Sequence, residues 1–187
     1  MPLPARGYTV EDVRAMPDDG NRYEVIAGEL FVTPGPSWGH QTVLARLHLL
    51  IGNYVERHHL GVALFAPFDV VFGPTTLVEP DLLFVRIDHL GRATEQELRG
   101  PPDLTVEVIS PGSKRADRGR KRVLYQDEGV TEYWIVDPEQ RLIEVWRQEA
   151  GTAEVHAATL TWRPDPVVEA LVIDVPELFR DRTRHVT

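Results

Sequence analysis

Residues 103–125 read "DLTVEVISPGSKRADRGRKRVLY", and the fold turns on how this stretch divides. Leu104, Val106 and Val108 alternate with Thr105, Glu107 and Ile109, the period-two pattern of a strand with two distinct faces. Pro111-Gly112-Ser113 turns the chain. Ser113 can cap a helix running to about Glu128, and Gly129 is its stop. A core strand holding a carboxylate is thus followed by a helix carrying Lys114, Arg115, Arg118, Arg120, Lys121 and Arg122. An ionised acid in a buried strand costs several kcal/mol unless it is paired or bound to metal. Glu107 therefore needs a partner.

Upstream, Thr9 with Glu11 and Asp12 marks a helix start that ends near Pro17. "RYEVIAGELFVTP" (22–34) predicts a hairpin turning at Ala27-Gly28. From Ser37 to His58 the period changes. Val43, Leu47, Leu50, Ile51, Tyr54 and Val55 form one face of a helix of about five turns. "VALFAPFDVVFG" (62–73) reads as strand, bend at Pro67 and strand; "LVEPDLLFVR" (77–86) reads as a further strand. Residues 88–102 form a loop with a short helix near Glu95. "EYWIVDP" (132–138) and "RLIEVWRQ" (141–148) are two more strands around a turn at Asp137-Pro138, and the tail adds a strand or two and a short terminal helix. With no repeat and no long linker, 1–187 is expected to be a single α/β domain, a mixed sheet with helices before and after its central strands.

The bulk properties narrow the function. The net charge of −9 over 187 residues argues against a protein that coats nucleic acid without specificity, although a local basic patch survives on an acidic body. The absence of cysteine excludes disulfides, thiolate metal sites and a cysteine nucleophile. It also suits a cytoplasmic location, as does the lack of a signal peptide or membrane-length apolar run.

Asp81 raises the same question as Glu107: it follows a proline and opens the apolar run Leu82-Leu83-Phe84-Val85. If the two strands are neighbours, their carboxylates converge and repel, and a cation must lie between them. A hard divalent ion such as Mg²⁺ is suited to one or two carboxylates plus water and phosphate oxygens. Asp117, Lys121, Leu124, Tyr125 and Glu128 share helical spacing, so Lys121 can reach the same place; Arg115, Arg118 and Arg122 form a second stripe for solvent or phosphates. Ordinary structural roles stand beside these: Asp81 capping a turn, Glu107 paired to the helix, Asp117–Lys121 as a surface pair.

"EPDLLF" (79–84) and the run from Pro101 to Pro138, with "YEVIAGEL", "GHQTVLARLHLLI" and "FAPFDVVF", resemble the Uma family of putative restriction endonucleases, in the PD-(D/E)xK nuclease superfamily. The likeness covers most of residues 8–180. It implies a restriction-endonuclease-like core, a central mixed sheet flanked by helices, with Pro80-Asp81 as the PD element and Glu107 as the second acid. The superfamily lysine two residues later is replaced here by Ile109, and the resemblance implies that Lys121 on the following helix takes its place. It also implies Mg²⁺, or Mn²⁺ in its stead, on Asp81, Glu107 and the main-chain carbonyl of Val108. His40, of the "HQ" pair, would meet phosphate or water; Glu24 and Glu29 match hairpin acids without an evident role. His58-His59 and the tryptophans, Trp134 and Trp146 among them, read as structural.

Two functions emerge as expectations. One is a Mg²⁺-dependent endonuclease acting on DNA held by the basic helix, with a homodimer suited to cutting two strands; RNA or another phosphodiester is not separated from DNA. The other is a nuclease fold kept as a binding or assembly module without turnover.

Overall fold

The computed structural model describes residues 7–110 and 117–180. Its first helix, α1 (Val10–Arg14), starts as anticipated: the Thr9 side chain accepts from the Asp12 N–H while Asp12 reaches back to Thr9. The hairpin of β1 (Asn21–Ile26) and β2 (Glu29–Pro34) turns at Ala27-Gly28, where both residues have positive φ, 49° and 82°. A two-residue turn of that kind matches the twist of its strands.

Helix α2 (Trp38–Arg57) begins at Ser37, whose side chain accepts from the His40 N–H. It buries Val43, Leu44, Leu47, Ile51, Tyr54 and Val55. Leu50, expected on that face, is 38% exposed. At about 100° per residue it falls at the margin of the stripe, where Leu44 fits inside it.

Two sheets carry the rest. A five-stranded sheet has the order β2-β1-β5-β4-β7, adding β4 (Asp69–Gly73), β5 (Thr76–Val78) and β7 (Glu97–Arg99). A six-stranded sheet has the order β11-β10-β9-β8-β6-β3. Its strands are β3 (Gly61–Phe65), β6 (Leu82–Arg86), β8 (Leu104–Val108), β9 (Glu132–Asp137), β10 (Leu142–Arg147) and β11 (Glu154–His156). β12 (Thr159–Trp162) and β13 (Leu171–Asp174) form a separate pair before the terminal helix α4 (Val175–Leu178).

"LVEPDLLFVR" is therefore two strands in two sheets. Pro80 lacks a donor for the ladder, and Glu79-Pro80-Asp81 carries the chain from β5 across to β6. The short helix expected near Glu95 lies earlier, as a 3₁₀ turn over Ile87–Arg92. Ser113, the expected cap of the basic helix, lies outside the described residues together with Lys114 and Arg115. The described part opens as a π turn, Asp117–Lys121, and continues as α3 (Arg122–Asp127), with Gly129 at φ 84° beyond it.

The register around β8 sets which side chains can meet. β6 runs antiparallel to β8 with Leu82 opposite Val106, and β9 runs parallel to β8 with Glu107 opposite Ile135. One step beyond Leu82–Val106, Asp81 stands level with Glu107. The faces separate as the alternation implies. Leu104, Val106 and Val108 pack with α2, Trp134 and the C-terminal elements. Ile109 packs on the other side with Tyr125, Tyr133, Ile135 and residues of the five-stranded sheet. Glu107 faces this second layer. No described helix is long and apolar enough to cross a membrane.

Candidate active site

Asp81, Glu107 and Lys121 are all buried, at 2%, 3% and 4% exposure, which solvent-facing ion pairs would not be. The Lys121 ammonium lies 2.9 Å from Glu107 Oε1 and 2.9 Å from Glu24 Oε1. Lys121 is thus buried between Glu24 and Glu107 and does not lie on a solvated face. Glu107 Oε1 also accepts from the Tyr125 hydroxyl at 3.0 Å. Burial, and then the charge of Glu107, push the Tyr125 phenol well above its ordinary range, so it stays a donor.

Asp81 lies at the same place from the other strand. Its Oδ2 accepts from the Val108 N–H at 2.8 Å and contacts His40 Nε2 at 3.0 Å; its Oδ1 accepts from Arg22 at 3.0 Å. Burial opposes ionisation, but the His40 hydrogen bond, the Arg22 guanidinium and the Val108 N–H outweigh it and hold the carboxyl below its ordinary value. His40 thus sits inside the cluster, with its Nδ1 buried and lacking a hydrogen-bond partner among the described residues. Arg22 also bonds Glu79 at 2.8 Å, and burial drives the Glu79 carboxyl upward against that guanidinium.

These groups line one cavity of about 320 Å³: Arg22, Glu24, His40, Asp81, Glu107, Val108 and Lys121 lie on its wall, with Ile26, Phe31 and the Pro34–Ser37 segment completing it. Arg22, Glu24 and Tyr125 had no assigned function from sequence. A signal for the first two was present, since alternation along "NRYEVI" puts Arg22 and Glu24 on one face of β1. The signal for Tyr125 was its place one helical turn after Lys121. Glu29, the other hairpin acid, lies outside the cavity, exposed and paired with Arg120.

The arginine stripe is not a uniform solvent face. Arg118 ties the π turn to the sheet through Asp137 at 2.9 Å and Glu144 at 2.7 Å. Arg122 stacks 4.8 Å above the Trp146 ring. Arg115 lies outside the described residues. Among the described residues no group of three or more His, Asp or Glu side chains is arranged to hold a metal ion.

Known proteins bear on this geometry in three ways. No curated protein matches the chain. A crystal structure titled as a putative nuclease belonging to DUF820, from Anabaena variabilis ATCC 29413, superposes with a TM-score of 0.76 at 19% identity. The match covers 92% of this chain and 97% of that one, so the two share a fold. The family description "putative restriction endonuclease" (Uma2) matches residues 10–176, the span holding every residue of the cavity, and the chain belongs to that family.

Proposed function

We propose that this chain is a divalent-metal-dependent phosphodiesterase, a DNA endonuclease in which Asp81, Glu107, Lys121 and His40 carry the reaction. The observation that carries this reading is the convergence of two strand acids and a buried lysine on one cavity. The donor chemistry fits a hard cation. The carboxylates Glu24, Glu79, Asp81 and Glu107 outnumber the permanent cations Arg22 and Lys121, and Asp81 is held ionised. A two-carboxylate site completed by water and phosphate is the usual Mg²⁺ arrangement. Asp81, Glu107 and the Val108 carbonyl would hold Mg²⁺, with Mn²⁺ as a substitute. When bound, such an ion polarises the phosphate and acidifies a water molecule.

The protein's own groups do the rest. Lys121 is fixed between two carboxylates, so it presents a constant positive charge beside Glu107, where charge builds on the phosphate. Tyr125 and Lys121 together fix the orientation of Glu107. Asp81 orients His40 through Nε2 and holds its imidazole on the cavity wall, where it would meet water or a phosphate oxygen. Arg22 keeps Asp81 ionised and in place.

The reading includes a single domain over residues 1–187, a cytoplasmic location and a homodimer. A second reading, a nuclease fold kept as a binding module, is favoured by one feature: Asp81 already takes three hydrogen bonds from the protein, which compete with a metal. Incubation with supercoiled plasmid and Mg²⁺ or Mn²⁺ separates the two. Nicking by the wild type, lost in Glu107→Ala and Lys121→Ala, supports the endonuclease. A wild type that leaves plasmid intact with either ion supports the idle module.

A further inference from the structure

We infer that Arg22 controls entry of the metal: its guanidinium holds the Asp81 oxygen that the ion needs, and gives it up when a substrate phosphate takes the guanidinium in exchange. This rests on the metal-dependent reading of the cavity and goes beyond it, since it makes metal and phosphate bind as partners.

The Asp81 carboxylate is shared out unequally. Each carboxylate oxygen has room for about two partners. Oδ2 is occupied by the Val108 N–H at 2.8 Å and by His40 Nε2 at 3.0 Å. Oδ1 takes Arg22 Nη1 alone, at 3.0 Å. Oδ1 is therefore the oxygen left for a cation, and a cation already stands on it. A divalent ion sharing that oxygen with the guanidinium is opposed by its charge.

Two permanent cations line the cavity, and their settings differ. The Lys121 side chain is 5% exposed and lies between Glu24 and Glu107. The Arg22 side chain is 19% exposed, so it is the one with access to an entering ligand. It also has a second anchor. Nε pairs with the Glu79 carboxylate at 2.8 Å, and Nη1 donates to the Glu79 carbonyl at 3.1 Å, so the guanidinium stays at the cavity when it leaves Asp81. Its Nη2 makes no hydrogen bond among the described residues.

A guanidinium presents a planar fork of donors that matches phosphate as well as carboxylate. With Nη2 unused and Nη1 on Asp81, Arg22 can take up a phosphate oxygen through the first and turn the second toward the same group. Asp81 Oδ1 is then open, and the charge that opposed the ion is neutralised by phosphate. An ion arriving alone meets an occupied oxygen; an ion arriving with phosphate does not.

The test is calorimetry with Mn²⁺ on the full chain, alone and with saturating thymidine 5′-monophosphate as the phosphate probe. The wild type should bind Mn²⁺ on the order of tenfold more tightly when the nucleotide is present. Arg22→Gln/Glu79→Gln removes one positive and one negative charge that face each other, so net charge is kept and Glu79 is not left without its cation. This variant should bind Mn²⁺ by itself on the order of tenfold more tightly than the wild type, and gain little from the nucleotide. Arg120→Gln, which removes an arginine paired with Glu29 outside the cavity, should match the wild type. Double-variant affinity no higher than wild type, an equal gain from nucleotide in both, or the same tightening in Arg120→Gln overturns the inference and leaves the metal site standing. Binding by the double variant but never by the wild type, with or without nucleotide, refutes the exchange. If the double variant does not fold, the wild type decides: Mn²⁺ affinity indifferent to nucleotide overturns the inference. No Mn²⁺ binding by any of these proteins ends the metal reading itself, and this inference with it.

Discussion

Replacing Lys121 by methionine keeps most of the side-chain volume and removes the ammonium that Glu24 and Glu107 share. Both carboxylates remain buried, at 2% and 3% exposure, facing a thioether. Removing one partner of a buried pair costs about 3–5 kcal/mol, because the remaining charge is left uncompensated. Unfolding entropy is roughly 2 cal/mol/K per residue, so for a chain of 187 residues that loss lowers Tm by on the order of 10 °C. Thermal and urea unfolding at neutral pH measure it. A double-mutant cycle adds the sharper check. Glu24→Gln removes one of the stranded charges, so Lys121→Met/Glu24→Gln should be less destabilised than the two single changes summed, by about 1–3 kcal/mol. A Lys121→Met melt within about 1 °C of wild type, or strict additivity in the cycle, would refute the buried ion cluster and the lysine's place in the reaction with it.

Four other outcomes rest on the same geometry. Because the Asp81 carboxyl is held below its ordinary value of 3.8, its ionised form stabilises the fold above that value, and this stability is lost as pH falls through the lowered one; Asp81→Asn should therefore flatten the acid limb of a stability–pH curve, and an unchanged limb would refute the assignment. Tyr125→Phe removes one donor to Glu107 and should cost about 1.5–3 kcal/mol, read from urea midpoints; a neutral change would mean that the hydroxyl does not support the acid. Calorimetry with Mg²⁺ and Mn²⁺ should show binding to the wild type and none to Asp81→Ala, and equal heats in the two would move the metal elsewhere. Gly61, at φ 146°, has the Val85 carbonyl 2.0 Å from where a Cβ would stand, so Gly61→Ala should open the β3–β6 edge, visible as faster amide exchange in those strands.

Much of the architecture was legible without coordinates because it rests on local physics. Period-two alternation marked β8 and put Glu107 on the face away from Val106 and Val108; helical spacing marked α2; and Thr9 announced α1 by its capping oxygen. The motif Pro80-Asp81, Glu107 and Lys121 also carried the family likeness. What the sequence did not determine was which charges meet. Arg22 and Glu24 lie about 60 to 100 residues from Asp81, Glu107 and Lys121, and only the crossing of β5 and β6 between two sheets brings β1 against them. The same limit applies to the basic helix, where spacing put Arg118 on another stripe and Lys121 beside Glu107 but did not give the acids from other segments that hold them. One is tied to Asp137 and Glu144 and the other is buried between two acids, because the π turn sets which side of the helix faces which sheet. Period and caps depend on near neighbours along the chain; charge pairing depends on which distant segments share a cavity, and that is a property of the tertiary fold alone.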